Sequence, residues 1–325
     1  MSPPGLEIDT SEEHQLQSIL YPLFPHTVRL QRVQSLEGHL HPLRLLTLSN
    51  GVQLILKSYP RPTTALLRRE RFLLETEARM LAILNQSANP CLPQLFQYDP
   101  QGAAGQSAFL LRQYVKGTTL QEMQTLLSPQ ERNDIDRHLG FLANMVGQHV
   151  APLFGPLDRV ASGVGSQSWR EAFFALFEGV LRDAEDMFIH LPYSEIRYEI
   201  SRLAPSLEQI TLPRLVVIDF GHPSQVLLDQ DSRQLSGVID LSHAIWGDIL
   251  MAEIFDDASP AVWDGFGLQL TQTKLEQARL LLYSCYRSVY RITAQYYRNR
   301  DETTEIDARR RLTATIAKLE AMELA

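Results

Sequence analysis

The stretch Leu215-Val-Val-Ile-Asp219-Phe-Gly-His-Pro-Ser-Gln225-Val-Leu-Leu-Asp229, followed by Leu235-Ser-Gly-Val-Ile-Asp240, decides the reading of this chain. An apolar strand runs into a loop that carries an aspartate. A short strand, a tight turn and a second short strand follow, and the last ends on another aspartate. Two strand ends of this kind can hold two carboxylates rigidly in one cleft. One carboxylate can then orient a hydroxyl while the other holds Mg²⁺ on a nucleotide's phosphates.

Outward from this segment the chain changes character. Ser11 to Leu20 reads as a short leading helix, with an acidic first turn and Leu16, Ile19 and Leu20 at helical spacing. Strand-like runs follow at Val28 to Val33, Leu43 to Leu48, and Val52 to Lys57. Asn50-Gly51 between the last two is a strong hairpin signal. Arg68 to Leu84 has a helical composition, and Phe109 to Tyr114 is a further apolar strand. After Gly117 the period is mainly helical: Thr119 to Leu127, Ser128 to Val146, Trp169 to Phe188, Gly247 to Phe255, Gln272 to Tyr297 and Asp301 to Ala325. Ser168 and Glu171 have the spacing of a capping box. A small β lobe beside a larger α lobe is the packing solution this pattern predicts.

The Asp219 and Asp240 segments resemble the catalytic loop and metal-binding segment of aminoglycoside-phosphotransferase-like kinases, whose usual forms are His-Gly-Asp-Leu-His-Pro-Gly-Asn-Val-Leu and Val-Ile-Asp-Trp. The resemblance implies an α+β, two-lobed protein-kinase-like fold: an N-terminal extension over 1–23, a nucleotide-binding β-rich lobe over 24–115, and a helical lobe over 116–325. It implies that Lys57 contacts the α- and β-phosphates of ATP and that a helix carboxylate holds Lys57. Glu77, followed by Ala78, matches the family form; Glu75 is two positions away and faces elsewhere. Phe109-Leu-Leu-Arg-Gln113-Tyr-Val115-Lys-Gly117 is similar to the family's hinge, where the Gln113 carbonyl and the Val115 N–H would bond the adenine edge. Asp240 becomes the Mg²⁺ ligand and Asp219 the carboxylate that orients the acceptor hydroxyl.

Three features depart from the family pattern. Val217 stands where a histidine is usual. The loop after Asp219 is one residue longer. The metal-binding asparagine becomes Gln225, or Ser224 if the extra residue lies elsewhere. His222, in the same loop, reads either as a group that orients substrate or as a satisfied loop histidine. The phosphate-covering loop falls on Ser35 to Pro42, with Gly38 its one glycine. Asp248 reads as a helix N-cap. Leu74-Glu-Thr-Glu-Ala and Ala244-Ile-Trp-Gly-Asp are similar to phrases in divergent fungal members linked with secondary metabolism.

The resemblance thus implies an ATP- and Mg²⁺-dependent phosphotransferase for a small hydroxyl- or amine-bearing acceptor. Its alternative is a pseudokinase that keeps the fold as a scaffold; adenylyl transfer is a minor third. Glu253, Asp256, Asp257 and Asp264 follow the metal segment and read either as an attraction for an amine or as a solvated acidic face. The 325 residues are 44% hydrophobic and 21% charged, which suits a folded globular chain. A net charge of −8 and the lack of a basic run argue against nucleic-acid or membrane partners. The two cysteines, Cys91 and Cys285, make neither a zinc set nor a disulfide framework. With no apolar leader and no apolar run long enough to span a bilayer, a cytoplasmic protein is expected.

Overall fold

Ser49-Asn50-Gly51 closes the hairpin on which the first sheet is built. The Leu48 N–H donates to the Val52 carbonyl, and Gly51 takes a φ of 83°, a left-handed conformation that costs glycine little. The structure is a computed structural model that describes residues 10–36, 40–87, 89–102, 107–267, 273–298 and 300–323. After helix α1 (Thr10–Leu20), strands β1 (Leu30–Leu36), β2 (Leu43–Leu48) and β3 (Gln53–Ser58) run antiparallel. A 3₁₀ turn at Arg68–Phe72 leads into α2 (Leu73–Leu84), and β4 (Leu95–Asp99) and β5 (Phe109–Gln113) complete the sheet in the order β1-β2-β3-β5-β4. Sequence periodicity does not separate the 3₁₀ turn from α2, nor does it mark β4.

The sheet's two faces follow from the period of two. Leu54 and Leu56 of β3, with Phe109 and Leu111 of β5, share a buried cluster with Leu16, Ile19 and Leu20 of α1. The intervening residues, Lys57 and Arg112, therefore emerge on the opposite face, where α2 packs.

The rest of the chain is largely helical. In order come β6 (Thr118–Thr119), α3 (Leu120–Met123), α4 (Pro129–Gly147), β7 (Gly155–Pro156), α5 (Leu157–Ala161), α6 (Trp169–Asp186), α7 (Tyr193–Arg202) and α8 (Ala204–Glu208). Then follow β8 (Arg214–Val217), β9 (Val226–Leu228), β10 (Leu235–Val238), β11 (Ala244–Gly247), α9 (Pro260–Phe266), α10 (Lys274–Tyr297) and α11 (Glu302–Glu320). Two small sheets, β10-β9-β6 and β7-β11-β8, hold the aspartate segments. The expected helix over Gly247 to Phe255 is instead a strand end followed by two 3₁₀ turns, Ile249–Met251 and Glu253–Phe255, broken by extended Ala252. The capping box expected at Ser168 does not form: the Glu171 carboxylate accepts from Ser166 Oγ at 2.6 Å, and Ser168 makes no side-chain cap. Helices α7 to α9 escaped the periodicity reading because they are short.

Aromatic packing joins α6 to α10. Trp169 Nε1 donates to Tyr283 Oη at 2.8 Å, and Phe173 and Phe177 pack edge-on against Tyr283 and Tyr286 respectively. Asp248 is tied into this layer. It caps Leu250 N–H as expected, but it also accepts from Tyr283 Oη at 2.7 Å and pairs with Arg279 at 2.9 Å. No helix among the described residues is long and apolar enough to cross a membrane.

Helices α4 and α9 touch backbone to backbone. A Cβ on Gly140 would lie 2.1 Å from the Val262 carbonyl oxygen, and one on Gly265 would lie 1.8 Å from that of Arg137. Backbone cannot yield as a flexible side chain can. Gly140→Ala and Gly265→Ala are each expected to lower stability by about 3 kcal/mol, at the upper end of overpacking costs, in urea melts monitored by circular dichroism. An unchanged midpoint would show that the helices separate freely.

Candidate functional site

Lys57 lies at the centre of a buried charge cluster. Its ammonium is 2.6 Å from Glu77 Oε2 and 3.1 Å from Asp240 Oδ1. Glu77 on α2 is fully buried, and its other oxygen lies 3.2 Å from Arg112 Nε. One carboxylate therefore sits between two cations from adjacent strands. Burial works against the Lys57 charge, but Asp240 and Glu77 outweigh it and raise its pKa. Glu75 turns away and pairs with Arg79 one helical turn on, at 2.7 Å.

Asp240 caps the end of the β10 segment in the left-handed region, at φ 59° and ψ 62°. Aspartate tolerates that region better than most residues, and such geometry is common at functional sites. Its Oδ1 is engaged by Lys57 and, at 2.8 Å, by Ser242 Oγ. Its Oδ2 has no partner among the described residues, and the side chain is 46% exposed. Burial opposes its charge, but Lys57 foremost, then His243 and Ser242, hold the carboxyl well below the ordinary range.

Asp219 sits in the turn after β8. Its Oδ2 accepts from Gln225 Nε2 at 2.8 Å and meets His243 Nδ1 at 3.0 Å. Its Oδ1 is buried with no partner, as is Gln225 Oε1. Burial again works against the charge, and His243 and Gln225 overcome it, so the Asp219 carboxyl titrates below its usual range. Two orphaned oxygens in one cleft are costly unless a ligand or ion completes them.

The two residues left as alternatives after Asp219 lie in different surroundings. Gln225 enters the cleft, whereas Ser224 is exposed and its hydroxyl lies 2.8 Å from His222 Nδ1, which satisfies that histidine within its own loop. Val217, in place of the usual histidine, is a buried strand residue paired with Ala244. The hinge leaves the Val115 N–H without a partner among the described residues, but the Gln113 carbonyl already accepts from Arg112 Nη1 at 3.2 Å. Gly38, with Glu37 and His39, lies outside the described residues.

Four contributors were not legible beforehand. Arg112, His243 and Ser242 reach the cluster, and His41 tucks in behind it. The only sequence signal for His243 and Ser242 was their position just past Asp240. Of the acids read as either an amine attractant or a solvated face, Glu253 and Asp256 are instead paired, Glu253 with Arg291 at 2.5 Å and Asp256 with Arg287, whereas Asp257 lies in solvent and only reaches Arg311 at 3.2 Å. Asp264 is exposed on α9.

Chemically, Asp240 Oδ2, Gln225 Oε1 and Asp219 Oδ1 are hard oxygen donors, and that donor set suits Mg²⁺. Among the described residues no group of three or more His, Cys, Asp or Glu could hold a metal unaided. A cation here would need phosphate oxygens or water to complete its shell.

His41 gives the cluster a measurable pH signature. Its Nδ1 lies 3.0 Å from the Ser58 carbonyl oxygen, and burial foremost, then the Lys57 charge, lower its pKa to about 4. The unfolded chain takes up this proton from about pH 6.5 downward, while the folded chain does so only near its lower value. Stability should therefore fall as pH drops through that window, by about 2 kcal/mol between pH 7 and 4.5. His41→Gln should remove that part of the slope in urea melts at the two pH values. An identical slope in the variant would show that His41 is not held neutral.

No family model and no curated protein matches the chain. Solved structures do. A Ralstonia eutropha protein named provisionally as an aminoglycoside phosphotransferase superposes with a TM-score of 0.68 at 12% identity, over 98% of this chain and 100% of that one. A thermostable mutant of aminoglycoside phosphotransferase APH(4)-Ia, solved with AMP-PNP and hygromycin B, gives 0.65 at 15% identity over 95% and 100%. APH(2")-IIa, solved with streptomycin and ATP, gives 0.61 at 15% identity over 97% and 99%. At these identities the likeness is one of architecture: the chain has the two-part, kinase-like fold of the aminoglycoside phosphotransferases.

Proposed function

We propose that this chain is an ATP-dependent phosphotransferase for a small acceptor that carries a hydroxyl or an amine. The observation that carries the reading is the Lys57 bridge, one buried ammonium shared by Glu77 of α2 and Asp240 beyond β10. A cation so fixed on a rigid strand is suited to two phosphates, and the adjoining carboxylate to the ion that accompanies them. The nucleotide and acceptor in the structures of similar fold support the same reading. In it, residues 24–115 form the nucleotide lobe and 116–325 the acceptor lobe. Two buried free cysteines agree with a cytoplasmic setting.

The roles follow from the free atoms. The Val115 N–H and the second lone pair of the Gln113 carbonyl would face the adenine edge. Lys57 would hold the α- and β-phosphates, with Glu77 fixing its direction. Asp240 Oδ2 and Gln225 Oε1 would hold Mg²⁺, which when bound neutralises charge on the phosphates. Asp219 Oδ1 would accept the hydroxyl hydrogen bond, while His243 and Gln225 lock the other oxygen and so aim this one. Catalysis would rest on positioning and on charges fixed in advance.

A second reading, the pseudokinase, is favoured by one specific arrangement. Arg112 Nη1 occupies the Gln113 carbonyl at the hinge, and Lys57 contacts Asp240 directly, so the cluster is closed on itself. Nucleotide turnover separates the two.

MgATP should raise the melting temperature. At about 100-fold over its dissociation constant the stabilisation is about 2.7 kcal/mol. Asp240→Asn should lose the Mg²⁺-dependent part of that gain and still fold. Asp219→Ala should cut phosphoryl transfer, read as ATP hydrolysis in the absence of a known acceptor, by about 10²-fold with ATP affinity nearly unchanged. Wild type and Asp219→Ala that both bind MgATP and are equally inert would leave the pseudokinase. No response to millimolar MgATP would remove the phosphotransferase and any nucleotide-binding scaffold.

A further inference from the structure

The linker between β3 and α2 is strapped onto the helices on the far side of the cleft. Arg68 pairs with Asp183 and Asp186 of α6, and Glu70 pairs with Arg298 just beyond α10. Between them Arg69 points at α10, where its Nη1 donates to Tyr286 Oη at 2.5 Å and its guanidinium lies 5.4 Å from the centre of the Tyr290 ring. That ring meets the His243 imidazole edge-on at 5.5 Å, and His243 holds Asp219. Arg69 thus belongs to the same wall as Asp219, joined to it through Tyr290 and His243.

Its neighbours make Arg69 unusual. Arg68, Arg112, Arg287, Arg291 and Arg298 each have a carboxylate partner. Arg69 has none among the described residues, although it is largely covered. A guanidinium offers five N–H donors in a planar fork suited to carboxylate or phosphate, and a tyrosine hydroxyl and a ring face leave most of that fork unused. Burial works against its charge, but Tyr286, Tyr290 and Asp219 together keep it protonated. Of the acids that could have welcomed a cationic acceptor, Glu253 and Asp256 are already paired with arginines, and Asp257 and Asp264 lie exposed to water.

We infer that Arg69 binds an anionic group, a carboxylate or a phosphate, carried by the acceptor, so that the acceptor is a hydroxy acid or a phosphorylated alcohol rather than a polycationic amino sugar. This rests on the phosphotransferase reading and gives its acceptor a sign. The acid would lie against Arg69 and Tyr286 while the hydroxyl meets Asp219 Oδ1. The transferring phosphoryl group is the other anion that could reach a guanidinium here. The tyrosine partners on α10 and the chain of contacts through Tyr290 and His243 to Asp219 favour the acceptor.

Sulfate is the probe. Melting temperatures of wild type, Arg69→Gln and Arg69→Lys are compared in sulfate and in chloride at matched ionic strength, without nucleotide, with saturating MgADP, and with saturating MgAMP-PNP. The general stabilisation by sulfate, which comes from its exclusion from protein surfaces, cancels between variants. The wild type should gain about 2 °C or more over Arg69→Gln in both nucleotide complexes, and Arg69→Lys should fall between. Equal responses in all three proteins overturn the proposal and make Arg69 a packing residue. An excess present with MgADP but abolished by MgAMP-PNP overturns it in favour of the transferring phosphoryl group. If neither nucleotide raises the melting temperature, the phosphotransferase reading fails by itself. An Arg69-dependent sulfate response in that case marks an anion site without a kinase and overturns the acceptor assignment. Should Arg69→Gln not fold, Arg69→Lys carries the comparison, and an undiminished sulfate response in it counts against the proposal.

Discussion

The structure depends most on the bond between Lys57 and Glu77. It joins β3 to α2 through groups almost wholly removed from water, and such a pair is tolerable only when its remaining valences are met. Asp240 accepts from Lys57, and Arg112 faces the other Glu77 oxygen as an ion pair at 3.2 Å. The four residues come from β3, α2, β5 and the turn after β10, so one electrostatic cluster fixes the sheet, its covering helix and the second aspartate segment relative to one another. Removing Lys57 or Glu77 would strand a charge in the interior at a cost of about 3–5 kcal/mol, whereas the half-exposed Asp240 can lose its charge without that cost.

A second consequence is the unequal treatment of oxygens across the cleft. In Asp219 and Asp240 alike, one carboxylate oxygen is bound by protein and the other is left. Gln225 repeats the arrangement with its amide, the nitrogen spent on Asp219 and the oxygen unpartnered. The departures at Val217 and Gln225 are thus of different kinds: the first fills a strand, and the second keeps a polar group in the site.

Much of this was legible in the chain because it is local. Asn50-Gly51 declares its hairpin, Lys57 closes an apolar strand, and Val-Ile-Asp240 ends another. Glu77 is singled out by its resemblance to the family form, Glu followed by Ala, and helix geometry then turns Glu75 elsewhere; Glu75 does pair along the helix surface with Arg79. What escaped is non-local. The Lys57–Asp240 contact spans 183 positions and the Arg69–Tyr286 contact 217, and no spacing rule relates such residues. Arg112 was hidden because a strand residue's face shows only once the register with β3 is known. The Ser168 box failed because Ser166, two residues earlier, competes for the same glutamate.

The central claim is that the Lys57 cluster is a nucleotide site whose ligand is supplied from solution. A structure of the protein with MgAMP-PNP tests it most directly. The account predicts Lys57 withdrawn from Asp240 onto phosphate oxygens while still bound to Glu77, with Asp240 Oδ2 and Gln225 Oε1 about 2.0–2.1 Å from a metal ion. A nucleotide bound elsewhere, or one seated in the cleft with the Lys57–Asp240 contact unchanged and no metal at Gln225, would contradict it.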